Sequence, residues 1–311
     1  MRGTGILTIT LLAILAIVSW RDTHVRAETE MGAFPTALPQ VIKAVKLDHV
    51  YDFAGEILPL HRRDVVERLD RELTTLAYRH GATILNMKNA SKYFPVIEPI
   101  LREHGLPEDL KYMVMVESEF RHSTSPKGAK GFWQFLKPTA RSLGLEVNAY
   151  VDERLHIEKA TAAACRYLKQ LYDEFGSWTL AAAAYNMGPT RLRKEIRRQK
   201  ESSYYDLNLN SETMRYVFRI VAYKDIVEHP RRYGYLLNDE DLYPPLDTGI
   251  RLRVDTTIDD LADFAHQFGI SYRDLKRYNP WLLTGTLPNR SRKSYTIVLP
   301  STAQLPEQLK Q

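Results

Sequence analysis

One glutamate, Glu117, continues an apolar stripe in the segment that runs from residue 110 to residue 120. Four residues follow the spacing i, i+3, i+4 and i+7 and so share one face of a helix: Leu110, Met113, Val114 and Glu117. Burial away from a cation disfavours a charged carboxylate and raises its pKa, so the pattern predicts a general acid near neutral pH. Glu119 would lie roughly 200° further around the helix and cannot be its partner. A buried glutamate satisfied by a helix or a neighbouring base is the alternative interpretation.

The stretch 125–135 follows this helix and contains a proline, two glycines and a tryptophan. Such a composition predicts an irregular loop rather than a helix face. We expect the loop to bring Trp133 and Gln134 over a cleft.

A later helix of small residues ends in Tyr185 and Asn186, just before the helix-stopping Gly188. An aromatic ring beside an amide suits the faces and N-acetyl groups of sugars. A plain C-terminal cap is the alternative interpretation of this pair.

The elements that must position these residues are helices. Apolar residues recur at helical spacing over 63–76, 93–104, 139–143, 158–175, 179–186 and 213–228. Gly105 stops one helix and Pro107 opens the one that carries Glu117. Strand signals are almost absent before Tyr235, so residues 52–236 are predicted to form a mainly α domain. Residues 28–51 are interpreted as a loose leader, and the acidic, proline-containing stretch 237–249 as a linker crossed by few contacts.

The pattern changes after residue 250. Alternating residues predict strands at 250–254 and 294–299, and apolar spacing predicts helices at 258–268 and 271–278. Residues 250–303 are therefore predicted to form a small βααβ domain.

The N-terminus is typical of an exported protein. Arg2 precedes an apolar run from residue 6 to residue 20, and small or aliphatic residues occupy positions −3 and −1 before a cleavage site after Ala27. Residues 1–27 are predicted to be a signal peptide, which places the protein in the periplasm or cell envelope. An uncleaved anchor is the alternative, and it is the only route to membrane association that the sequence offers.

Composition and charge exclude several classes of protein. The chain is 44% hydrophobic and 26% charged, which fits neither a disordered nor a collagen-like chain. Its net charge is +5, and residues 1–27 carry +2 of it, so the mature chain would carry about +3. That excess suits an anionic polymer, and the absence of a basic stripe with aromatics argues against nucleic acid. Cys165 is predicted to be a small core residue, and the scattered histidines predict neither a metal nor another cofactor.

In chain order, these segments resemble the lytic transglycosylases of the soluble-lytic, goose-lysozyme-like fold, and in particular the membrane-bound murein transglycosylase D type. The resemblance covers about 52–235. It rests on these motifs: Gly105-Leu-Pro-Glu-Asp-Leu110, Glu117-Ser118, Ser125-Pro, Gly131-Phe-Trp-Gln134, Pro138-Thr139, Asp152-Glu-Arg154, Thr161-Ala162, Ala184-Tyr-Asn186, Glu212-Thr213 and Tyr216-Val217.

The resemblance implies that Glu117 is the acid and base of the reaction. It places five further residues along the cleft: Ser125, Gln134, Tyr185, Asn186 and Tyr216. The loop between Glu117 and Gln134 is one residue shorter than is usual in the family, which weakens the assignment of Ser125. The segment 152–154 resembles a structural turn. His156 stands where the family has aspartate, and we assign it no role.

The 250–303 domain resembles a LysM module, which implies binding to glycans that contain N-acetylglucosamine. The glycine that usually precedes the equivalent of Asp255 is missing. A structural cap without sugar affinity is therefore the alternative interpretation.

The implied reaction is non-hydrolytic cleavage of peptidoglycan strands between N-acetylmuramic acid and N-acetylglucosamine. Glu117 would protonate the bridging oxygen and then take the proton of the C6 hydroxyl, which closes a 1,6-anhydro ring; substrate assistance by the 2-acetamido group would replace a second carboxylate. Two alternatives remain: a goose-type lysozyme, which would use water, and an inactive wall-binding protein.

Overall fold

The computed structural model describes residues 43–305. The predicted signal peptide and most of the predicted leader lie outside these residues. Within them, no helix combines the length and the apolar character needed to cross a membrane. The fold described below belongs to one compact unit that begins at Val45.

The first part of this unit is built from helices, as predicted. A short hairpin, β1 (Asp52–Phe53) and β2 (Glu56–Ile57), precedes them. The α-helices that follow are α1 (Arg63–Ala77), α2 (His80–Glu103), α3 (Tyr112–Ser118), α4 (Lys137–Ser142), α5 (Ile157–Phe175), α6 (Trp178–Met187), α7 (Pro189–Gln199) and α8 (Ser211–Glu228). A 3-10 turn, Glu108–Lys111, leads into α3.

Two helices of this first part differ most from the sequence-based expectation. Helix α2 begins at His80 rather than at residue 93, because its first half buries a mixture of polar and small side chains instead of a regular apolar stripe. Helix α7 was not predicted, because Leu192 is its one buried residue and most of its surface is basic. Pro189 starts α7 directly after Gly188, at the position where a helix tolerates proline best.

Helix α8 lies at the centre of the helical part and packs against α1, α3 and α6. Helix α3 is itself buried on nearly every side, since Tyr112, Met115 and Val116 are covered as well as the predicted stripe. The stripe was therefore only part of the buried surface. Because α8 contacts both α3 and α6, side chains from the three helices meet in one place.

The last part of the unit has the predicted βααβ order: β3 (Ile250–Val254), α9 (Leu261–Gln267), α10 (Tyr272–Tyr278) and β4 (Tyr295–Leu299). The strands pair antiparallel, with Ile250 opposite Leu299. Helix α9 begins three residues later than predicted, because the Asp260 side chain caps it and accepts hydrogen bonds from two backbone N–H groups of its first turn. Ile258 instead pairs with Leu287 in an isolated bridge.

The two parts share more contacts than the sequence indicated. Val151 and Leu155, from the loop before α5, are buried within the core of the βααβ part. The backbone N–H of Asp152 donates to the carbonyl of Trp281 at 2.9 Å, and that of Leu283 donates to Tyr150 at 2.8 Å. The expectation that few contacts cross the boundary was wrong, because both the loop before α5 and the linker contact the βααβ part: Asp247 of the linker accepts hydrogen bonds from Tyr278 and Ser301.

Candidate active site

Glu117 is the next-to-last residue of α3 and faces α8. The hydroxyl of Tyr216, which is 2% exposed, donates a hydrogen bond to Oε1 of Glu117 at 2.5 Å. The Glu117 side chain keeps partial contact with solvent. A carboxyl group in this position is sheltered from bulk water but is not completely enclosed.

The surroundings of Glu117 raise the pKa of its carboxyl group from 4.5 to about 7. Burial is the largest cause, because a low-dielectric site disfavours the charged form. The nearby carboxylate of Glu212 raises the pKa further, while the hydrogen bond from Tyr216 and the charge of Arg219 lower it. At neutral pH the group is therefore poised between acid and base, as general acid–base catalysis requires.

Tyr185 and Asn186, at the end of α6, are linked to this carboxyl group in different ways. Burial, together with the charge of Glu117, raises the pKa of Tyr185 well above its usual value. The Tyr185 hydroxyl donates to the carbonyl of Trp133 at 2.6 Å. The Asn186 amide donates to Glu212 at 3.1 Å and accepts from the hydroxyl of Thr213 at 2.6 Å. Asn186 thus orients the one carboxylate that raises the pKa of Glu117.

The side chain of Arg154 holds the loop 125–135 through hydrogen bonds to its backbone. The guanidinium group donates to the carbonyls of Gly128 at 2.9 Å and Phe135 at 3.1 Å, and Asp152 fixes it through two hydrogen bonds of 2.8 Å. The turn 152–154 is structural, as expected, and it also shapes the loop, a role that the sequence did not indicate. Gly131 contacts the same turn: its φ is +80°, and a Cβ there would lie 1.9 Å from the carbonyl oxygen of Arg154.

Trp133 does not lie over a cleft, and this expectation was wrong. Its side chain is fully buried and its indole N–H donates to Thr161 Oγ1 at 2.9 Å. Gln134 is half-buried, with a left-handed φ of +47°, and its amide donates to the carbonyl of Gly131 at 2.8 Å. Because neighbouring side chains of a loop point in different directions, Trp133 anchors the loop in the core while Gln134 stays at its surface.

Ser125 makes its contacts within its own loop. Its hydroxyl accepts from the backbone N–H of Ala129 at 3.0 Å, and its N–H donates to the Ala129 carbonyl at 2.9 Å. These bonds close the turn that leads to Gly131. The residue shapes the loop, and a direct contact with substrate stays a prediction.

Glu119 and His156, which the sequence analysis also named, make their contacts with other groups. Glu119 follows α3 in a left-handed conformation and pairs with Arg79 at 3.2 Å and Arg121 at 2.7 Å. His156 is buried against Trp281, and burial lowers its pKa to about 4, which keeps the ring neutral. Cys165 is fully buried, as predicted.

The sequence did not single out Glu212 as a charged neighbour of Glu117. Glu212 stands in the quoted motif Glu212-Thr213, and its place in the first turn of α8 is what brings it to the site. A helix-capping pattern, Asn210 followed three residues later by Thr213, was the available signal for that turn.

Two segments of the chain match models of known protein families. Residues 94–208 match the family model described as transglycosylase SLT domain, and residues 250–303 match the soluble lytic transglycosylase C-terminal LysM-like domain. The chain therefore carries a transglycosylase SLT domain followed by a LysM-like domain, and the resemblance inferred from the motifs is confirmed.

Two individual relatives are lytic murein transglycosylases. The chain is 32% identical over 227 residues to membrane-bound lytic murein transglycosylase D of Escherichia coli. The matched region is 71% of this chain and 48% of that protein. The chain is 27% identical over 114 residues to membrane-bound lytic murein transglycosylase F of Cronobacter sakazakii, covering 33% of this chain and 21% of that protein. The chain thus spans about half the length of the first relative.

Among solved structures, the lytic transglycosylase Slt of Pseudomonas aeruginosa matches 48% of this chain and 26% of its own. The sequence identity is 22% and the TM-score 0.37, which is too low to establish a common fold.

Proposed function

We propose that this protein is a peptidoglycan lytic transglycosylase in which Glu117 is the only acid and base. The observation that carries the proposal is the carboxyl group of Glu117, whose pKa of about 7 leaves comparable amounts of acid and carboxylate at neutral pH. The match to the transglycosylase SLT domain and the likeness to murein transglycosylases support peptidoglycan as the substrate.

The proposed reaction uses Glu117 twice. In the first step its proton passes to the oxygen that joins N-acetylmuramic acid to N-acetylglucosamine, and the C1–O bond breaks. The muramyl 2-acetamido oxygen stabilises the cation at C1, as in substrate-assisted glycosidases. The Glu117 carboxylate then accepts the proton of the C6 hydroxyl, whose oxygen bonds to C1 and closes the 1,6-anhydro ring.

Tyr216 and the end of α6 have supporting roles in this scheme. The Tyr216 hydroxyl can donate to Glu117 in both protonation states, so it fixes the carboxyl orientation during the two proton transfers. We assign Ser125, Gln134, Tyr185 and Asn186 to the walls of the cleft.

The goose-type hydrolase is the second candidate, and Glu212 is the observation that favours it. This carboxylate is close enough to raise the pKa of Glu117. A second carboxylate that activates water would make the enzyme a hydrolase of the inverting type. However, the Glu212 carboxylate is already hydrogen-bonded by Asn186, which favours a positioning role.

Mass analysis of the muropeptides released from purified sacculi separates the two. A transglycosylase releases 1,6-anhydro products, whereas a hydrolase releases products heavier by one water with a free reducing end. We expect only anhydro products from the wild type and from Glu212→Gln. Reducing products, lost in Glu212→Gln, would establish the hydrolase. Glu108→Gln, which removes an exposed carboxylate beside Arg102, is the matched control and should behave as the wild type.

We also propose that the LysM-like domain binds the same glycan strands and that the protein works in the cell envelope. The domain would keep the catalytic part close to an insoluble polymer, which raises its effective concentration. A pull-down with sacculi compares the full chain with a chain truncated before β3. Equal binding by the two forms would contradict a sugar-binding role.

A further inference from the structure

Two histidines and an aspartate converge away from the active site, at the end of α8. Asp225 and His229 flank the last turn of this helix, and His49 comes from the segment before β1. Oδ1 of Asp225 lies 2.9 Å from Nε2 of His49 and 3.0 Å from Nδ1 of His229. Three potential ligand atoms thus lie within 4.8 Å of one another. The sequence did not indicate this cluster, because His49 and Asp225 lie 176 positions apart in the chain.

The surroundings orient two of these three side chains. The second ring nitrogen of His49 lies 3.4 Å from the carboxylate of Asp48. The hydroxyl of Tyr233 donates to the other oxygen of Asp225. Metal-bound histidines usually carry a carboxylate or carbonyl on the ring nitrogen that faces away from the metal, and metal-bound carboxylates are hydrogen-bonded in turn. His49 and Asp225 both have such hydrogen-bonding partners in this structure.

The burial of the cluster also suits a bound ion. The Asp225 side chain is 6% exposed, that of His49 is 27% exposed and that of His229 is 48% exposed. The carboxylate is thus sheltered while one side remains open to solvent, which gives an ion an entry path and leaves a place for water.

We propose that His49, Asp225 and His229 bind one divalent transition-metal ion of the zinc class. Imidazole and carboxylate are ligands that Zn²⁺ takes at about 2.0–2.2 Å, so donor atoms around a tetrahedral ion lie about 3.3 Å apart. The two histidine–aspartate separations, 2.9 and 3.0 Å, are a few tenths of an ångström shorter than this spacing, and the two histidine nitrogens lie within 4.8 Å of each other. Water fills the fourth position on the exposed side of His229.

The site is a clamp and takes no part in the reaction. Asp225 comes nine positions after Tyr216 on α8, a distance of roughly 13 Å along the helix axis. The ion fastens the segment that holds His49 to the helix that positions Glu117. Metal binding should therefore raise stability much more than it changes turnover.

The test uses the purified protein after removal of metal with a chelator. Zinc is titrated calorimetrically and the bound metal is counted by elemental analysis. We expect one ion per chain, and a rise in the thermal midpoint of roughly 5–10 °C at a 100-fold excess over the dissociation constant. His49→Gln and His229→Gln should each lose stoichiometric binding, while His266→Gln, a change at an exposed histidine of the βααβ part, should keep it.

A graded variant keeps the test independent of folding. Asp48→Asn leaves all three ligands in place and should weaken zinc affinity by about 10–100-fold, as the loss of an outer hydrogen-bond partner does elsewhere. Circular dichroism checks that each variant is folded. Absence of stoichiometric zinc in the wild type would overturn the proposal and leave the cluster as a hydrogen-bonded carboxylate. Undiminished zinc binding in a folded His229→Gln would overturn it as well.

Discussion

Replacing Glu117 with glutamine tests both the chemistry and the electrostatics of the site. The change preserves the shape of the side chain and its ability to accept a hydrogen bond from Tyr216, but removes the titratable proton. Loss of a general acid–base typically costs 10²–10⁴-fold in rate, and loss of the only such group should lie near the upper end. The measurement is the rate of muropeptide release from sacculi. Near-wild-type activity would show that another residue carries the reaction.

The same variant makes a prediction about stability, whose sign follows from the raised pKa. Below pH 4.5 the Glu117 carboxyl keeps its proton in both the native and the unfolded chain, so ionisation costs nothing. As the pH rises from 4.5 to about 7, the unfolded chain loses the proton first, and the wild type loses stability. At 1.36 kcal/mol per pKa unit the loss reaches about 3 kcal/mol and is constant at higher pH.

Glu117→Gln lacks this penalty. Its free energy of unfolding relative to the wild type should therefore increase by about 3 kcal/mol between pH 4 and pH 8. Urea unfolding at several pH values measures the difference, and the comparison across pH cancels any fixed effect of the substitution. If the two curves stay parallel, the native carboxyl has an ordinary pKa and the burial argument for the acid fails.

Three further perturbations follow from the structure. Tyr216→Phe removes a hydrogen bond that lowers the pKa of Glu117, so the basic limb of the pH–rate profile should move up by roughly 1–2 pH units, and an unmoved limb would contradict this. Gly131→Ala would place a Cβ against the Arg154 carbonyl, whereas Gly128→Ala has the same left-handed φ but open space around the Cβ. Gly128→Ala should therefore cost only the backbone strain of about 1–3 kcal/mol, and Gly131→Ala should cost more stability in thermal unfolding. A chain truncated before β3 uncovers two apolar side chains of the helical part and should lose roughly 3–5 kcal/mol of unfolding free energy; equal stability would show that the junction contributes little.

The catalytic candidate could be predicted because its signal is local. Glu117 and its apolar neighbours lie within one helix, where spacing along the chain determines which residues share a face. The interpretation of α3 as a one-sided helix was incomplete, since α3 is buried on nearly all sides. The prediction that Glu117 lies in an apolar environment is nevertheless confirmed, since burial is the largest cause of its raised pKa.

The details of the loop could not be predicted, because they depend on contacts distant in sequence. The interpretation of Trp133 rested on the irregular composition of its segment, which indicates a loop but gives no side-chain direction. Its burial follows from Thr161 on α5, which accepts its indole hydrogen. Arg154 likewise acts on a loop about twenty residues earlier in the chain, and no local spacing announces that contact.

The junction between the two parts shows why a linker does not by itself define independent domains. The stretch 237–249 has the composition of a boundary, yet it is hydrogen-bonded to both parts, through Leu246 to Lys92 and through Asp247 to Tyr278, and the loop before α5 adds apolar packing. Val151 and Leu155 fill the core of the βααβ part. The same loop continues into Asp152 and Arg154, which hold the backbone that carries Gln134. The five residues Val151–Leu155 thus contact both the βααβ core and the backbone of Phe135, next to Gln134, so we expect a change in the LysM-like domain to alter the position of this loop.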